Sequence, residues 1–427
     1  MIGRRTVPGI LLAASACILL SCSSGPDFDL VIRGGTVYDG TGETSGIRRE
    51  DVGITGDRIR RIGDLGTSTA RQFIDASGKV VAPGFIDAQS RSGLTLLADG
   101  IGESHLRQGI TSEILSDNSP ALWTTGTADT NALQRYGITL DWTGLSAYFD
   151  RLEARGTAIN VGSLIPLSLT RAAGNSASFI DAAMRDGAFG LVDDVNAGVP
   201  DVVAASTTVG THDGMVMQHA DSPVATSDEG VLAVGANAHR IVIAALSHTL
   251  ADHPAPEMIG RMLRAAPRNV FVYGTMTPYA PAAGASEAPV RDAAKFGGVL
   301  IGTDTAAVRA SSAPKDTHPA AFGAFPRLVG PYVRDGVLEL REAIRRTTSV
   351  PASVFQIQQR GIIRENYYAD LVVFDARTVA DRATFEQPNQ YPTGIDYVIV
   401  NGVVTLTPKG LTGSRPGTRL LHRPPGR

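Results

Sequence analysis

Eight short apolar runs rich in β-branched residues recur at Val80–Asp87, Gly109–Leu115, Ala158–Leu167, Phe189–Asp194, Gly214–Ala220, Ile241–His248, Asn269–Thr275 and Gly297–Asp304. Between them lie stretches with helical apolar spacing, such as Leu145, Phe149 and Leu152, or Val231 and Val234, and Ala-rich segments such as Ile180–Arg185. Leu338–Arg346 reads as a final helix. Strand and helix alternating eight times predict an α/β chain closed into a (β/α)8 TIM barrel. Near-continuous apolar strands suit a parallel sheet covered on its outer face. At 427 residues and 43% hydrophobic content the chain can bury a core of that size.

The polar residues fall at one end of these runs. Asp87, Gln89 and Arg91 follow the first, Asp117 the second, Asp193 and Asp194 the fourth, His219 the fifth, His248 the sixth and Asp304 the eighth. All sit at carboxyl ends, the face on which barrel enzymes carry their chemistry. Histidines closing consecutive strands are neighbours in space, so His219 and His248 are expected in one site.

Residues 80–360 are therefore assigned to the barrel, and the flanks to a second unit. Residues 28–79 contain "LVIRGGTVYDG" and "VGITGDRIRRIG", with Gly-Gly and Gly-Asp turns between alternating strands. Residues 361–412 contain "ADLVVFD" and "YVIVNGVVTL", with Asn401-Gly402 as a turn signal. Neither part buries a core alone, so the two are expected to build one small β-sandwich, with 413–427 left as a tail.

Arg4 and Arg5 precede an apolar run that ends in small residues, the layout of a secretory signal peptide over 1–22. Leu19-Leu20-Ser21-Cys22 resembles the bacterial lipobox, which implies acylation of Cys22, a tether over 23–27, and a chain facing the periplasm from the cell envelope, at the outer membrane. A plain cleaved signal is the alternative. Cys17 and Cys22 are the only cysteines, so the mature domain has neither a disulfide framework nor a thiolate metal site. A formal charge of −3 without a basic stripe argues against a nucleic-acid partner.

Together "DLVIRGGTVYDGTG", "VVAPGFIDAQSRS", "QGITSEIL", "FGAFPRLVGPYVRDG" and "YYADLVVFDARTVADRATFEQPNQYPTGIDYVIVNGV" resemble the amidohydrolase superfamily, in its D-aminoacylase (N-acyl-D-amino-acid deacylase) branch. The resemblance implies the barrel and sandwich, and a site with two metal ions. Pro83 to Asp87 match the first-strand motif, but Gln89 and Arg91 stand where the family has its two metal-binding histidines, while Asp304 falls on the family's aspartate. Glutamine is a poor zinc ligand, and a guanidinium offers a cation no lone pair. The second family site maps onto His219 and His248, with Asp117 or Asn118 at the position of its bridging ligand. Two imidazoles and one carboxylate are a workable set for one zinc ion. Other family positions have also changed: Leu167 and Leu250 replace a histidine and a lysine, and Thr275 stands near a substrate-contacting tyrosine.

With one metal gone, Asp304 needs a counter-charge, and Arg91 is expected to supply it as an ion pair. A carboxylate committed to a guanidinium is a reluctant base, so surviving hydrolysis is expected to be slow. Two readings stand. In one, the chain is a single-metal amidohydrolase acting on the carbon–nitrogen amide bond of a small molecule such as an N-acyl-D-amino acid, with Asp304 moving the proton. In the other, it is a catalytically dead relative that binds or scaffolds at the envelope. Ser312-Ala313-Pro314-Lys315 fits Ser-x-x-Lys, but its proline argues for a loop. His318 is expected to act structurally, and His105, His212, His239, His253 and His422 to be ordinary surface or helix residues.

Overall fold

The computed structural model describes residues 25–116, 120–174, 177–238, 240–244, 255–265 and 270–423. Cys17, Cys22, Asp117, Asn118, His239, His248, Leu250 and His253 lie outside the described residues. No described helix is long and apolar enough to cross a membrane.

All eight expected strands form, and all neighbours among them pair in parallel. Phe85–Ser90 pairs with Ile110–Leu115, which pairs with Asn160–Ser163. That third strand continues as Ile165–Pro166 beside Gly190–Asp193. Met215–His219, Arg240–Ala244, Phe271–Met276 and Val299–Ile301 complete the order. The ring closes between the eighth strand and the first. Asp304 N donates to Gln89 O at 2.8 Å, and Arg91 N donates to Thr305 O at 2.9 Å.

Helices cover the strands as the apolar spacing predicts. Leu145–Arg155 buries Leu145, Tyr148, Phe149 and Leu152, and Asp228–Gly235 buries Val231 and Val234. The expected final helix runs Leu340–Thr347, and a further one, Ser349–Val354, follows it.

The first expected strand is in fact two. Val80–Pro83 pairs antiparallel with Leu371–Phe374 and parallel with Thr36–Tyr38, so it belongs to the sandwich, and the barrel begins at Phe85 rather than at 80. Gly84 makes the change of sheet possible, because a Cβ there would lie 2.1 Å from Thr111 Oγ1.

The sandwich has a four-stranded sheet and a seven-stranded sheet, the latter drawing on both ends of the chain. Leu30, Ile32, Val52 and Ile54 of one sheet meet Val81, Leu371, Val373 and Ile399 of the other in a shared core. Asp51–Thr55 and Arg58–Gly63 form the expected hairpin. Asn401 and Gly402, both at positive φ, turn Ile395–Val400 into Val403–Thr407. Gly34-Gly35 is not a hairpin turn, since Phe28–Arg33 and Thr36–Tyr38 enter different sheets.

The segment assigned as a tail is part of the fold. Val161 N donates to Thr418 O, Leu420 N to Val161 O at 2.7 Å, and His422 N to Gly187 O. Leu420 and His422 are buried, and His422 packs edge-on against Phe189. These bonds satisfy barrel backbone that would otherwise be exposed.

Candidate functional site

At the carboxyl end of the first strand, Gln89 is buried, and its side chain spans two neighbours. Its Oε1 accepts from Thr275 Oγ1 at 2.7 Å, and its Nε2 donates to Asp304 Oδ1 at 3.1 Å. Arg91 Nε donates to the same oxygen at 2.8 Å, so the expected ion pair is formed. Arg91 is 47% exposed while the Asp304 side chain is 10% exposed, which places the carboxylate inside and its cation at the rim. Asp304 takes φ of 52°, a left-handed conformation that asparagine and aspartate tolerate better than other residues with a Cβ. Its neighbour Thr303 holds this turn by donating N–H and Oγ1–H to Asp87, at 3.0 and 2.6 Å.

His219 ends the fifth strand, in register with Ala244 of the sixth, and is half-buried. Beside it lies Asp193, which accepts from the backbone N–H of Ala197 at 3.0 Å. Burial raises the Asp193 carboxyl above the ordinary carboxylate range, and the backbone N–H groups and His219 partly oppose that shift. Asp194 is engaged elsewhere, accepting from Ser168 N at 2.9 Å. The structure thus brings Gln89, Arg91 and Asp304 into contact and sets His219 on the same face. The positions of His248 and Asp117 lie outside the described residues.

Sequence reasoning missed a second polar cluster. His105 is not a surface residue: it is fully buried, as are Asp87 and Glu113. His105 Nδ1 lies 2.9 Å from Glu113 Oε2 and 3.8 Å from Asp87 Oδ2. Ser90 Oγ and Ser92 Oγ also donate to Glu113 Oε2, each at 3.1 Å. Among the described residues, Glu113 Oε1 and His105 Nε2 have no hydrogen-bond partner. Burial first of all, then the charge of Glu113, push the Asp87 carboxyl up to about 7, against the pull of His105 and Thr303. No local sequence pattern signalled it, because Asp87 and Glu113 meet only through the register of strands one and two.

The remaining histidines have structural contacts. His318 packs edge-on against Tyr279 and Phe385, and its Nε2 lies 3.2 Å from Ala280 O. His212 Nε2 lies 2.9 Å from Asp181 Oδ1, and His422 Nε2 lies 2.9 Å from His212 O, so neither is an ordinary surface residue. Leu167 is buried at the start of the helix Leu167–Ala172, and Ser312 lies in a turn, as the proline requires.

The sequence profile of the amidohydrolase family matches residues 259–406. An N-acyl-D-glutamate deacylase of Alcaligenes xylosoxydans xylosoxydans is 31% identical, covering 92% of this chain and 96% of that protein. The alignment spans 487 positions against 427 residues here, so the relative carries segments that this chain lacks. Among solved structures, the N-acyl-D-glutamate deacylase of Bordetella bronchiseptica, complexed with zinc and a phosphonate mimic of the tetrahedral intermediate, is 25% identical. It gives a TM-score of 0.77 over 92% of this chain and 99% of that one. A D-aminoacylase structure concerned with its binuclear metal centre, one-metal activation and second-metal attenuation, is 25% identical, with a TM-score of 0.77 over 93% and 100%. A scaffold shared end to end with deacylases at this identity identifies the chain as a member of the amidohydrolase superfamily, in its D-aminoacylase branch.

Proposed function

We propose that the protein hydrolyses the amide bond of an N-acyl-amino acid, of the D series by kinship, with at most one metal ion in its cleft. The observation that carries this reading is the convergence of Arg91 Nε and Gln89 Nε2 on Asp304 Oδ1. A guanidinium and a carboxamide N–H at that carboxylate are hydrogen-bond donors, and Gln89 Oε1 is already used by Thr275. This donor set does not fit the first ion of a two-metal centre, and no step is assigned to one.

The second position is different in kind. His219, with His248 and Asp117, has the donor chemistry of a zinc site and would hold the single ion. Such an ion supplies a polarised water and a Lewis acid for the amide carbonyl. Asp304 takes the proton of the attacking water and returns it to the departing amine. Arg91 fixes the orientation of that carboxylate, at the expense of its basicity, so turnover is slow. Cys22 attaches the chain to the bacterial envelope through lipid, with the barrel on the periplasmic side.

The same ion pair favours one second reading, a binding protein that no longer cleaves, since a carboxylate held by two donors is a poor proton shuttle. Zinc content and a screen of N-acyl-D- and N-acyl-L-amino acids separate the two. The hydrolase reading expects one zinc that is lost in His219→Ala, a rise in melting temperature on adding zinc that the same variant loses, and slow release of free amino acid. Purified protein that holds no zinc dependent on His219 and cleaves nothing leaves the binding reading.

A further inference from the structure

We propose that Asp87, His105 and Glu113 form a buried site for a divalent cation of the zinc class, distinct from the cleft around His219. The two carboxylates are register partners on neighbouring parallel strands, which sets them side by side, and His105 reaches them from the short helix Glu103–Leu106. One ligand atom from each residue lies within 4.8 Å of the others, close enough to share one ion, and all three residues are fully buried. One imidazole nitrogen with carboxylate oxygens is a donor set that zinc accepts.

Charge is the main argument. Two carboxyl groups and one imidazole face one another shut away from water, where a carboxylate without a counter-charge is unfavourable. A divalent cation would let both carboxyls ionise there beside a neutral imidazole, with the sum at zero. The second argument is an orphan atom: Glu113 Oε2 accepts from Ser90, Ser92 and His105, whereas Glu113 Oε1, on the same carboxyl group, has no partner among the described residues. A buried acceptor without a donor costs about 1–3 kcal/mol, and a cation beside it removes that penalty.

The site would be structural. It ties the first two strands to the helix between them. Through the bonds from Thr303 to Asp87, it also steadies the turn that presents Asp304. Nothing in this inference requires the protein to hydrolyse anything.

The test uses the full chain produced in zinc-supplemented medium, with zinc per chain measured by mass spectrometry. The variants are His219→Ala, Glu113→Gln and His105→Gln. His219→Ala, which disables the cleft, is expected to keep one zinc per chain, whereas Glu113→Gln and His105→Gln are expected to lose one relative to the unaltered protein. Should the buried variants fail to fold, X-ray absorption on zinc-loaded His219→Ala decides instead, with one imidazole and oxygen ligands expected. A His219→Ala protein without zinc, zinc undiminished in folded Glu113→Gln, or two imidazoles on the retained ion overturns the proposal. A zinc that leaves only with His219→Ala belongs to the cleft and one that leaves only with Glu113→Gln to the buried cluster, so the two readings fail separately.

Discussion

Replacing Arg91 by methionine removes the charge facing Asp304 and keeps much of the side-chain stem. At the 2.8 Å contact, charge centres about 4 Å apart attract by ~4 kcal/mol at an effective dielectric constant of ~20. Arg91 is 47% exposed, so solvent and mobile ions take most of this, and about 1 kcal/mol is expected to remain. A double-mutant cycle over Arg91→Met, Asp304→Asn and the pair isolates that quantity from the separate effects of each change. The two tryptophans, Trp123 and Trp142, are both buried beside the barrel, and their fluorescence follows its unfolding in urea. The coupling should be about 1 kcal/mol at low salt and should shrink towards zero near 1 M salt, where the Debye length is only ~3 Å. A low-salt coupling below ~0.3 kcal/mol, or one that salt leaves unchanged, refutes the view that Arg91 compensates Asp304 electrostatically.

Restoring imidazoles in Gln89→His/Arg91→His should add one zinc per chain to whatever the unaltered protein holds, read by mass spectrometry, with stabilisation of ~2.7 kcal/mol at a hundredfold excess over the dissociation constant. In EDTA-treated protein, Asp87 should give stability a pH dependence. Its folded value, about 7, lies above its ordinary 3.8, so the folded state keeps a proton that the unfolded chain has released across that interval. The contribution is therefore intact below about pH 4 and is lost as pH rises through 7. Between those values stability should fall by ~1.4 kcal/mol for each step of one in pH, and Asp87→Asn should flatten the slope in urea titrations. Leu420→Ala should cost about 2–3 kcal/mol in the same assay, because Leu420 is 5% exposed and its backbone bonds to Val161. A neutral outcome would return the last residues to the status of a tail.

Period and order made the barrel readable. Eight runs alternating with helical spacing fix the number of strands, and a parallel strand buried on both faces cannot hide its apolar character. The misreadings lie where a local pattern has two solutions. Val80–Asp87 is one apolar run in sequence but two strands in space, because Gly84 lets the chain pass from one sheet to another. Gly34-Gly35 looks like a hairpin turn for the same reason: a turn signal specifies a change of direction, not the partner of the next strand. Thr418 to His422 lack any strand pattern, since what holds them is the unsatisfied backbone of Val161 and Gly187.

The site divides along the same physical line. Arg91 and Asp304 are far apart in sequence, yet charge balance called for them to meet with Gln89 and Arg91 ending the first strand, and they do. His105 was opaque because a lone histidine in a short helix carries no periodicity, and its partners come from two strands whose register no local pattern reveals. Both clusters nevertheless answer one requirement, a carboxylate removed from water that must find positive charge. At Asp304 the chain supplies it covalently, as a guanidinium from the rim. At Glu113 the neighbour is the His105 imidazole, which also faces Asp87, so two carboxyl groups share one ring. Two buried carboxyl groups against one ring make that cluster, rather than the Asp304 pair, the place where a divalent cation would complete the balance.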